Sequence, residues 1–204
     1  MRDLILLGEN EILDFKQQIT SESKIAKTMV SFANHKGGTL LVGVDDDKRI
    51  LGVDPEEEKF MLEKAAGFFC KPEIKLTINV IHHKKVNFLE VLVPEGKDKP
   101  YYAKDESGKW WVHIRVKDQS LLASKVVVDV LKRQHSDDNS AVPFTSKEKA
   151  LLEYLSENDR ITLKEYCKML NISARRATRI MVNLVIIGAI RLHSTEKTDY
   201  YTLS

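Results

Sequence analysis

Hydrophobic and polar positions follow two periods along the first 133 residues. Alternation with a period of two, together with short apolar runs, predicts β-strands. The predicted strands cover residues 12–19, 39–44, 50–53, 75–82, 86–93 and 111–116, with 39–44 and 50–53 forming a hairpin. A period of about 3.6 predicts helices over residues 24–35 and 124–133, and a third that begins at Pro55 after the capping residue Asp54. This pattern favours an α+β domain with a mixed sheet.

Residues 144–204 have a different pattern, in which three helices precede two strands. Capping boxes, in which a threonine stands three residues before a glutamate, open the first two helices. The signals are the boxes Thr145–Glu148 and Thr162–Glu165, the capping residue Ser173, the helix stop Gly188, and the strand-like runs 189–193 and 200–203. The order helix, helix, turn, helix, hairpin is typical of a winged helix-turn-helix.

A polar segment separates the two patterns. Residues 134–143 have almost no apolar content, which is typical of a linker. We therefore expect one domain at residues 1–133, a linker at 134–143, and a winged helix-turn-helix domain at 144–204. The expected fold class is α+β, with a mixed-sheet domain followed by a small winged-helix domain.

The distribution of charge limits how this chain can bind nucleic acid. The 204 residues carry a net charge of only +2, so bulk charge is not expected to hold the protein to a polyanion. Residues 144–204 contain ten basic and seven acidic residues, and three of the arginines fall in one short segment. Any contact with nucleic acid is therefore expected from a local patch.

Cysteine content and hydropathy argue against several classes of protein. Cys70 and Cys167 lie in apolar helical contexts without a C-x-x-C spacing, so we expect neither a disulfide framework nor a zinc site. The first apolar run is too short for a signal peptide, and no stretch approaches the length of a membrane span. We expect a cytoplasmic protein with no membrane partner.

The third helix of the C-terminal domain carries candidate contacts to nucleic acid. Winged helices insert this helix into the major groove, where arginine pairs bidentately with phosphate or guanine. The expected contacts are Arg175, Arg176, Thr178, Arg179 and Asn183 on the helix, and Lys197 on the hairpin. Winged helices also serve as dimerisation and protein-docking modules, in which case the arginines would only solvate the surface.

One block of the N-terminal domain resembles a known family. Over residues 31–46 a helix end, Asn34, two glycines, a buried strand and two aspartates follow one another. Together with Asp14-Phe15-Lys16 before it and the strand 113–116 after it, this block resembles the Schlafen-type AlbA-like domain, formerly called the divergent AAA domain. The resemblance covers most of residues 5–130. It implies a DNA-binding protein or transcriptional regulator, since similar bacterial members often carry a C-terminal winged helix.

This block has two interpretations. Asn34, Gly37, Gly38 and Arg115 are candidate contacts to a phosphate or another ligand, because glycines leave backbone amides open. The two glycines are also typical of a helix C-terminus, which the spacing alone favours. The chain has no G-x-x-x-x-G-K-S/T run, so a P-loop ATPase is not expected.

The resemblance also implies a nuclease hypothesis. Some eukaryotic Schlafen relatives cut RNA with three acidic residues and a divalent metal, and the matching positions here are Glu9, Asp14 and either Asp45 or Asp46. Asp14 and Lys16 share a face of the predicted strand, so a carboxylate for Mg²⁺ or Mn²⁺ would lie beside an ammonium that positions water. The alternative is a surface ion pair followed by an ordinary β-turn.

We therefore expect a DNA-binding transcriptional regulator that acts as a homodimer on duplex DNA. The first alternative is a metal-dependent nuclease for RNA or single-stranded DNA that uses Glu9, Asp14, Lys16 and Asp46. The second is a non-enzymatic protein-interaction module. An enzymatic activity and a metal cofactor, Mg²⁺ or Mn²⁺, are expected only under the nuclease alternative.

Overall fold

A four-stranded mixed sheet lies at the centre of the N-terminal part of the computed structural model, which describes residues 2–134 and 145–204. The chain divides into two units, Met1–Ala123 and Ser124–Ser204. The helices of the first unit are α1 (Arg2–Leu7), α2 (Glu22–Ala33) and α3 (Pro55–Phe68). Its strands are β1 (Leu13–Lys16), β2 (Gly38–Val42), β3 (Cys70–Lys71), β4 (Thr77–His83), β5 (Val86–Val93), β6 (Tyr102–Lys104), β7 (Trp110–Trp111), β8 (His113–Val116) and β9 (Gln119–Leu122).

The central sheet has the strand order β1-β2-β5-β4 and packs against a hydrophobic core on each face. β1 runs parallel to β2, whereas β5 pairs antiparallel with both β2 and β4. Alternate residues of β2 point into different cores. Leu40 and Val42 pack with α2, and Leu41 packs with Phe15 and Phe88 on the opposite face. The mixed sheet with helices confirms the expected α+β class.

α2 is buried along most of its surface because apolar and small residues surround its axis. Met29, Val30 and Phe32 have no exposed surface. Ser21 begins the helix, and its hydroxyl accepts a hydrogen bond from the backbone N–H of Lys24 at 3.4 Å. The helix therefore forms the central support of the first unit, between the main sheet and the smaller sheets.

The hairpin predicted for residues 39–44 and 50–53 forms only in part. β2 ends at Val42, and Gly43 adopts φ of 102°, where a side chain would also lie 2.8 Å from Cβ of Phe88. The backbone N–H groups of Leu51 and Gly52 both donate to the carbonyl of Gly43, and Val44 forms an isolated antiparallel bridge with Ile50. The returning segment therefore pairs at a single bridge instead of along a regular strand. β5, distant in sequence, takes the place beside β2.

Two smaller sheets complete the first unit, with the orders β3-β6-β7 and β8-β9. The strand predicted for residues 111–116 is divided, since β7 pairs with β6 and β8 pairs with β9. The turn between β8 and β9 contains Lys117 with φ of 56°. The sequence pattern missed α1, β3, β6 and β9, which are short or lack a clear alternation.

Asn34 joins the end of α2 to these smaller sheets. Its side-chain nitrogen donates to the carbonyls of Tyr101 and His113, each at 2.9 Å, and its side-chain oxygen accepts from the N–H of Tyr101 at 2.7 Å. All three bonds are buried, and they connect segments nearly seventy and eighty residues away along the chain. Asn34 therefore satisfies backbone groups that would otherwise be buried without partners.

The second unit contains three helices followed by a hairpin, as the sequence predicted, and one further helix before them. These elements are α4 (Lys125–Gln134), α5 (Ser146–Glu157), α6 (Leu163–Leu170), α7 (Ala174–Ile186), β10 (Ile190–His193) and β11 (Tyr200–Leu203). Both predicted capping boxes form. The Ser173 hydroxyl accepts from the N–H of Arg176 at 3.3 Å, which fixes the start of α7.

The helix α4 belongs to the second unit, whereas the sequence analysis placed it at the end of the N-terminal domain. Val126 and Val130 lie in the same core as Leu151 and Met181. Ser124 begins α4, accepting from the N–H of Val127 and donating to Asp199 between β10 and β11. Of the predicted linker 134–143, only Gln134 lies within the described residues, at the end of α4.

We predict that Asn34→Ala lowers the free energy of unfolding by about 3 kcal/mol, because three buried backbone groups lose their partners. Urea unfolding followed by circular dichroism measures this change. The matched control is Asn79→Ala, which removes one exposed hydrogen bond to Glu90 and is expected to change stability by less than about 0.5 kcal/mol. Equal effects in the two variants would contradict the structural role of Asn34.

Candidate functional site

Arg115 lies inside the first unit with its guanidinium fully engaged. Its side chain is 1% exposed and forms an ion pair with Asp14 at 2.8 Å. It also donates to the carbonyls of Asn10 and Leu13 and to the hydroxyl of Ser120. The guanidinium carbon lies 4.8 Å from the centroid of the Phe32 ring. The network joins β8 to β1, β9 and α2.

The residues predicted to contact a phosphate have structural partners instead. Arg115 and Asn34 are buried in the networks described above. Gly37 adopts φ of 76°, and its N–H bonds to the carbonyl of Phe32, as at a helix C-terminus. A side chain at Gly37 would lie 2.8 Å from the backbone of Val93 and Glu95, and one at Gly38 would lie 2.5 Å from the Phe32 ring. The interpretation as a helix end accounts for both glycines.

The predicted acidic set lies around the start of β1. The Glu9 carboxylate accepts from the N–H of Phe15 at 2.7 Å. Burial raises the pKa of Glu9, and the negative charges of Asp14 and Asp46 raise it further, against the lowering effect of the Phe15 bond. Glu9 therefore shares an electrostatic environment with Asp14 and Asp46.

The Asp14 carboxylate forms ion pairs with two cationic side chains of the first unit. One of its carboxylate oxygens binds Arg115, and the other binds the Lys16 ammonium, which also donates to the carbonyl of Phe15 at 2.7 Å. Asp45 is part of a turn, accepting from the backbone and side chain of Arg49. Within residues 2–134 and 145–204, no group of three or more His, Cys, Asp or Glu side chains is arranged to hold a metal ion.

Three exposed arginines form a basic surface at the start of α7. Arg175, Arg176 and Arg179 are all exposed, whereas Ala177, Ile180 and Met181 are buried in the core of the second unit. The first turns of a helix direct free N–H groups and a partial positive charge outward, so this end also favours anions. We call Arg175, Arg176 and Arg179 the α7 arginines.

Thr178 and Asn183, the other two predicted contacts on α7, are much less exposed than the α7 arginines. They are 7% and 6% exposed. Asn183 accepts a hydrogen bond from Arg133 of α4, so this part of α7 packs against α4. Thr178 lines the surface between α4 and α7, so it stays a predicted contact, whereas the side-chain oxygen of Asn183 is engaged by α4.

The packing of α4 on α7 creates a groove of about 1230 Å³ that the sequence analysis missed. Its walls carry six basic residues and one acidic residue. They are Lys125, Lys132 and Arg133 from α4, the three α7 arginines, and Asp129, which forms an ion pair with Lys125 at 2.8 Å. The excess of cations makes this groove electropositive. The sequence did not predict this groove, because each helix alone carries only part of the basic surface and nothing in the sequence indicates that α4 packs against α7.

Lys197 lies on the segment that joins β10 to β11 and is exposed. Its neighbours include Glu196, which is exposed, and Asp199, which bonds Ser124. The hydroxyl of Thr195 donates to the carbonyl of Thr198 at 2.8 Å, which closes the tip of the hairpin. The tip therefore presents one lysine beside acidic residues.

Comparison with known proteins assigns the first unit to a family. A family model described as Schlafen, AlbA_2 matches residues 9–124. The chain belongs to the Schlafen AlbA_2 family. The match confirms the resemblance drawn from the residues, and it ends where α4 and the second unit begin. The Schlafen AlbA_2 region thus includes Glu9, Asn34 and Arg115 but none of the α7 arginines.

Two solved structures are similar to this Schlafen AlbA_2 chain. The DIP2311 protein from Corynebacterium diphtheriae aligns with a TM-score of 0.46 and 17% identity, over 72% of this chain and 34% of that protein. The N-terminal domain of a RecG-related protein from Nitrosomonas europaea aligns with a TM-score of 0.44 and 24% identity, over 61% of this chain and 94% of that domain. This chain thus spans about a third of the Corynebacterium protein. No curated protein matched the chain.

Among the helices of the described residues, none is both long and apolar enough to cross a membrane.

We predict that Arg115→Met lowers the free energy of unfolding by about 3 kcal/mol, because the buried Asp14 loses one of its two cationic partners and the carbonyls of Asn10 and Leu13 lose their donor. Denaturant unfolding measures the change. Arg49→Met is the control, since Arg49 forms an exposed ion pair with Asp45 whose loss is expected to cost less than about 1 kcal/mol. A loss no larger than that of the control would contradict the proposed role of Arg115.

We predict that Glu9→Gln stabilises the protein at neutral pH but not in acid. Because the folded state raises the pKa of Glu9 above its ordinary value of 4.5, ionisation of Glu9 costs stability as pH rises through the folded-state pKa. Glutamine keeps the acceptor for the Phe15 N–H and never ionises. Unfolding titrations of both proteins across this range are expected to coincide below pH 4.5 and to separate above it. Separation in the opposite direction would contradict the raised pKa.

Proposed function

We propose that the second unit is a winged helix-turn-helix that binds duplex DNA, and that the protein is a DNA-binding transcriptional regulator. The single observation that carries this proposal is the exposure of the three α7 arginines at the start of the third helix. The helix order and the hairpin support it, since winged helices place this helix in the major groove. Membership of the Schlafen AlbA_2 family is compatible with a role on nucleic acid.

The groove beside α7 suggests how the duplex would be held. The α7 arginines supply bidentate donors for phosphates or guanine edges, and Lys125 and Lys132 of α4 supply further charge for the backbone. Lys197 would meet the backbone from the hairpin. We propose that two copies act together, since a homodimer on adjacent half-sites gains affinity by bivalency.

The nuclease alternative has less support from the residues. Metal binding by Asp14 would require the loss of its bonds to Arg115 and Lys16, and Asp46 is an exposed residue of a turn. Since the Asp14–Arg115 pair also joins β1 to β8, releasing Asp14 would disturb the fold itself. The acidic set is better explained by structure than by catalysis.

We predict that Arg175→Ala/Arg179→Ala weakens binding to a random duplex by at least about tenfold at moderate salt, because two charge-assisted phosphate or base contacts are lost. The slope of log K against log salt should also become shallower, by about 0.9 for each phosphate contact removed. Fluorescence anisotropy of a labelled duplex over a series of salt concentrations measures both quantities.

The charge-matched control for this experiment is Lys149→Ala/Arg160→Ala, which removes two exposed cations of the second unit outside the groove. We expect the control to bind duplex nearly as the unmodified protein does. Unchanged affinity in the Arg175/Arg179 variant, or equal weakening in the control, would refute recognition by α7.

A further inference from the structure

The two faces of the three-stranded sheet β3-β6-β7 differ in composition. Lys71 pairs with Tyr102, and Lys104 pairs with Trp110. Because side chains alternate along a strand and directly paired residues share a face, these four side chains lie on the same face. On the opposite face Cys70 and Ala103 are buried and Trp111 is 41% exposed, so that face is covered at β3 and β6 but open at β7. We call Lys71, Tyr102, Lys104 and Trp110 the β3-β6-β7 face.

Aromatic and cationic side chains alternate across this face. Trp110 is 40% exposed although it is a large apolar residue in a strand. The Lys104 ammonium lies 5.9 Å from the centroid of its ring, and Lys71 is exposed beside the half-buried Tyr102. None of the four residues is acidic. The face therefore presents two aromatic rings and two positive charges to solvent.

The adjacent tryptophan differs from Trp110 in having a structural role. Trp111 points to the other face of the sheet, and its indole N–H donates to Asp105 at 2.7 Å. Asp105 also accepts from Ser107 and from the N–H of Lys109, which closes the turn between β6 and β7. These bonds lower the pKa of Asp105 to about 2, so the turn carries a fixed negative charge on the side of Trp111. Trp110 and Trp111 are equally exposed, at 40% and 41%, but the Trp110 indole takes no part in this turn.

We propose that the β3-β6-β7 face binds single-stranded nucleic acid by stacking unpaired bases on Trp110 and Tyr102. Successive bases of a single strand stack on aromatic side chains, while nearby cations neutralise the phosphates between them. Lys71 and Lys104 lie beside the two rings, in the positions where such phosphates would pass. A duplex does not fit this arrangement, because its paired and stacked bases do not expose their faces.

This surface is independent of the one proposed for α7. It lies wholly in the first unit, uses aromatic side chains instead of arginines, and has unpaired bases as its ligand. The protein would therefore bind two forms of nucleic acid through two different units, and either proposal can fail without the other.

The two tryptophans are the only ones in the chain, which allows Trp110 to serve as its own reporter. In Trp111→Phe the remaining indole fluorescence comes from Trp110. We predict saturable quenching of this fluorescence by oligothymidylate and by oligouridylate, because stacked bases quench indole emission. Quenching by either strand would support the proposal, whereas no quenching by either would overturn it.

Variants of the intact protein test the stacking directly. Binding of labelled oligothymidylate, followed by anisotropy, is expected to weaken about tenfold in Trp110→Leu and to be largely retained in Trp110→Phe, since only an aromatic ring can stack. Lys71→Gln/Lys104→Gln should weaken binding and reduce its salt dependence. Equal affinities of the Leu and Phe variants would overturn the proposal, and circular dichroism checks that both are folded.

The α7 variant separates this proposal from the proposed function. Arg175→Ala/Arg179→Ala is expected to keep its affinity for oligothymidylate while losing affinity for duplex, and Trp110→Leu is expected to do the reverse. If the α7 variant loses single-strand binding while Trp110→Leu keeps it, single strands bind at α7 and the β3-β6-β7 face has no such role.

Discussion

Arg115 places a permanent positive charge in the interior of the first unit, and this charge needs hydrogen-bond acceptors around it. Arginine stays protonated in proteins, and an unpaired buried charge is very costly, so every element near Arg115 must offer it an acceptor or a ring. Asp14 on β1, Ser120 on β9, two backbone carbonyls and the face of Phe32 on α2 do this together. The placement of Phe32 in turn requires a glycine at position 38, because the ring occupies the space of a side chain. One ion pair thus links the parallel strand pair, the central helix and the smaller sheets.

The features that sequence predicted well are those whose cause is local. Both capping boxes of the second unit form because a threonine and a glutamate three residues apart need only each other. Asp54 and Pro55 begin α3 for the same reason. The family could also be predicted from sequence, since the block at residues 31–46 combines a helix end and a buried strand in a fixed order. Exposure of the α7 arginines followed from the helical period alone.

Distant partners decided the features that sequence could not predict. Asn34 and Arg115 are residue types suited equally to a ligand and to a buried backbone, and only the folded chain brings Tyr101, His113 and Asp14 to them. Asn183 appeared exposed because α4, whose Arg133 bonds to it, lies earlier in the sequence. The groove beside α7 could not be predicted for the same reason, since α4 forms one of its walls. The β3-β6-β7 face was hidden for the same reason. β3 and β6 pair although about thirty residues separate them along the chain, and only this pairing places Lys71 beside Tyr102.

The transition between the units has a consequence for how such modules combine in evolution. Ala123 still bonds to Val112 of the first unit, and Ser124, the next residue, already begins α4 of the second. A gene fusion that exchanged C-terminal modules at the polar segment after Gln134 would leave α4 attached to a foreign neighbour. Val126 and Val130 would then be uncovered on one fragment, and Asn183 would lose its bond to Arg133 on the other. Recombination at the Ala123–Ser124 bond would instead transfer a complete folding unit.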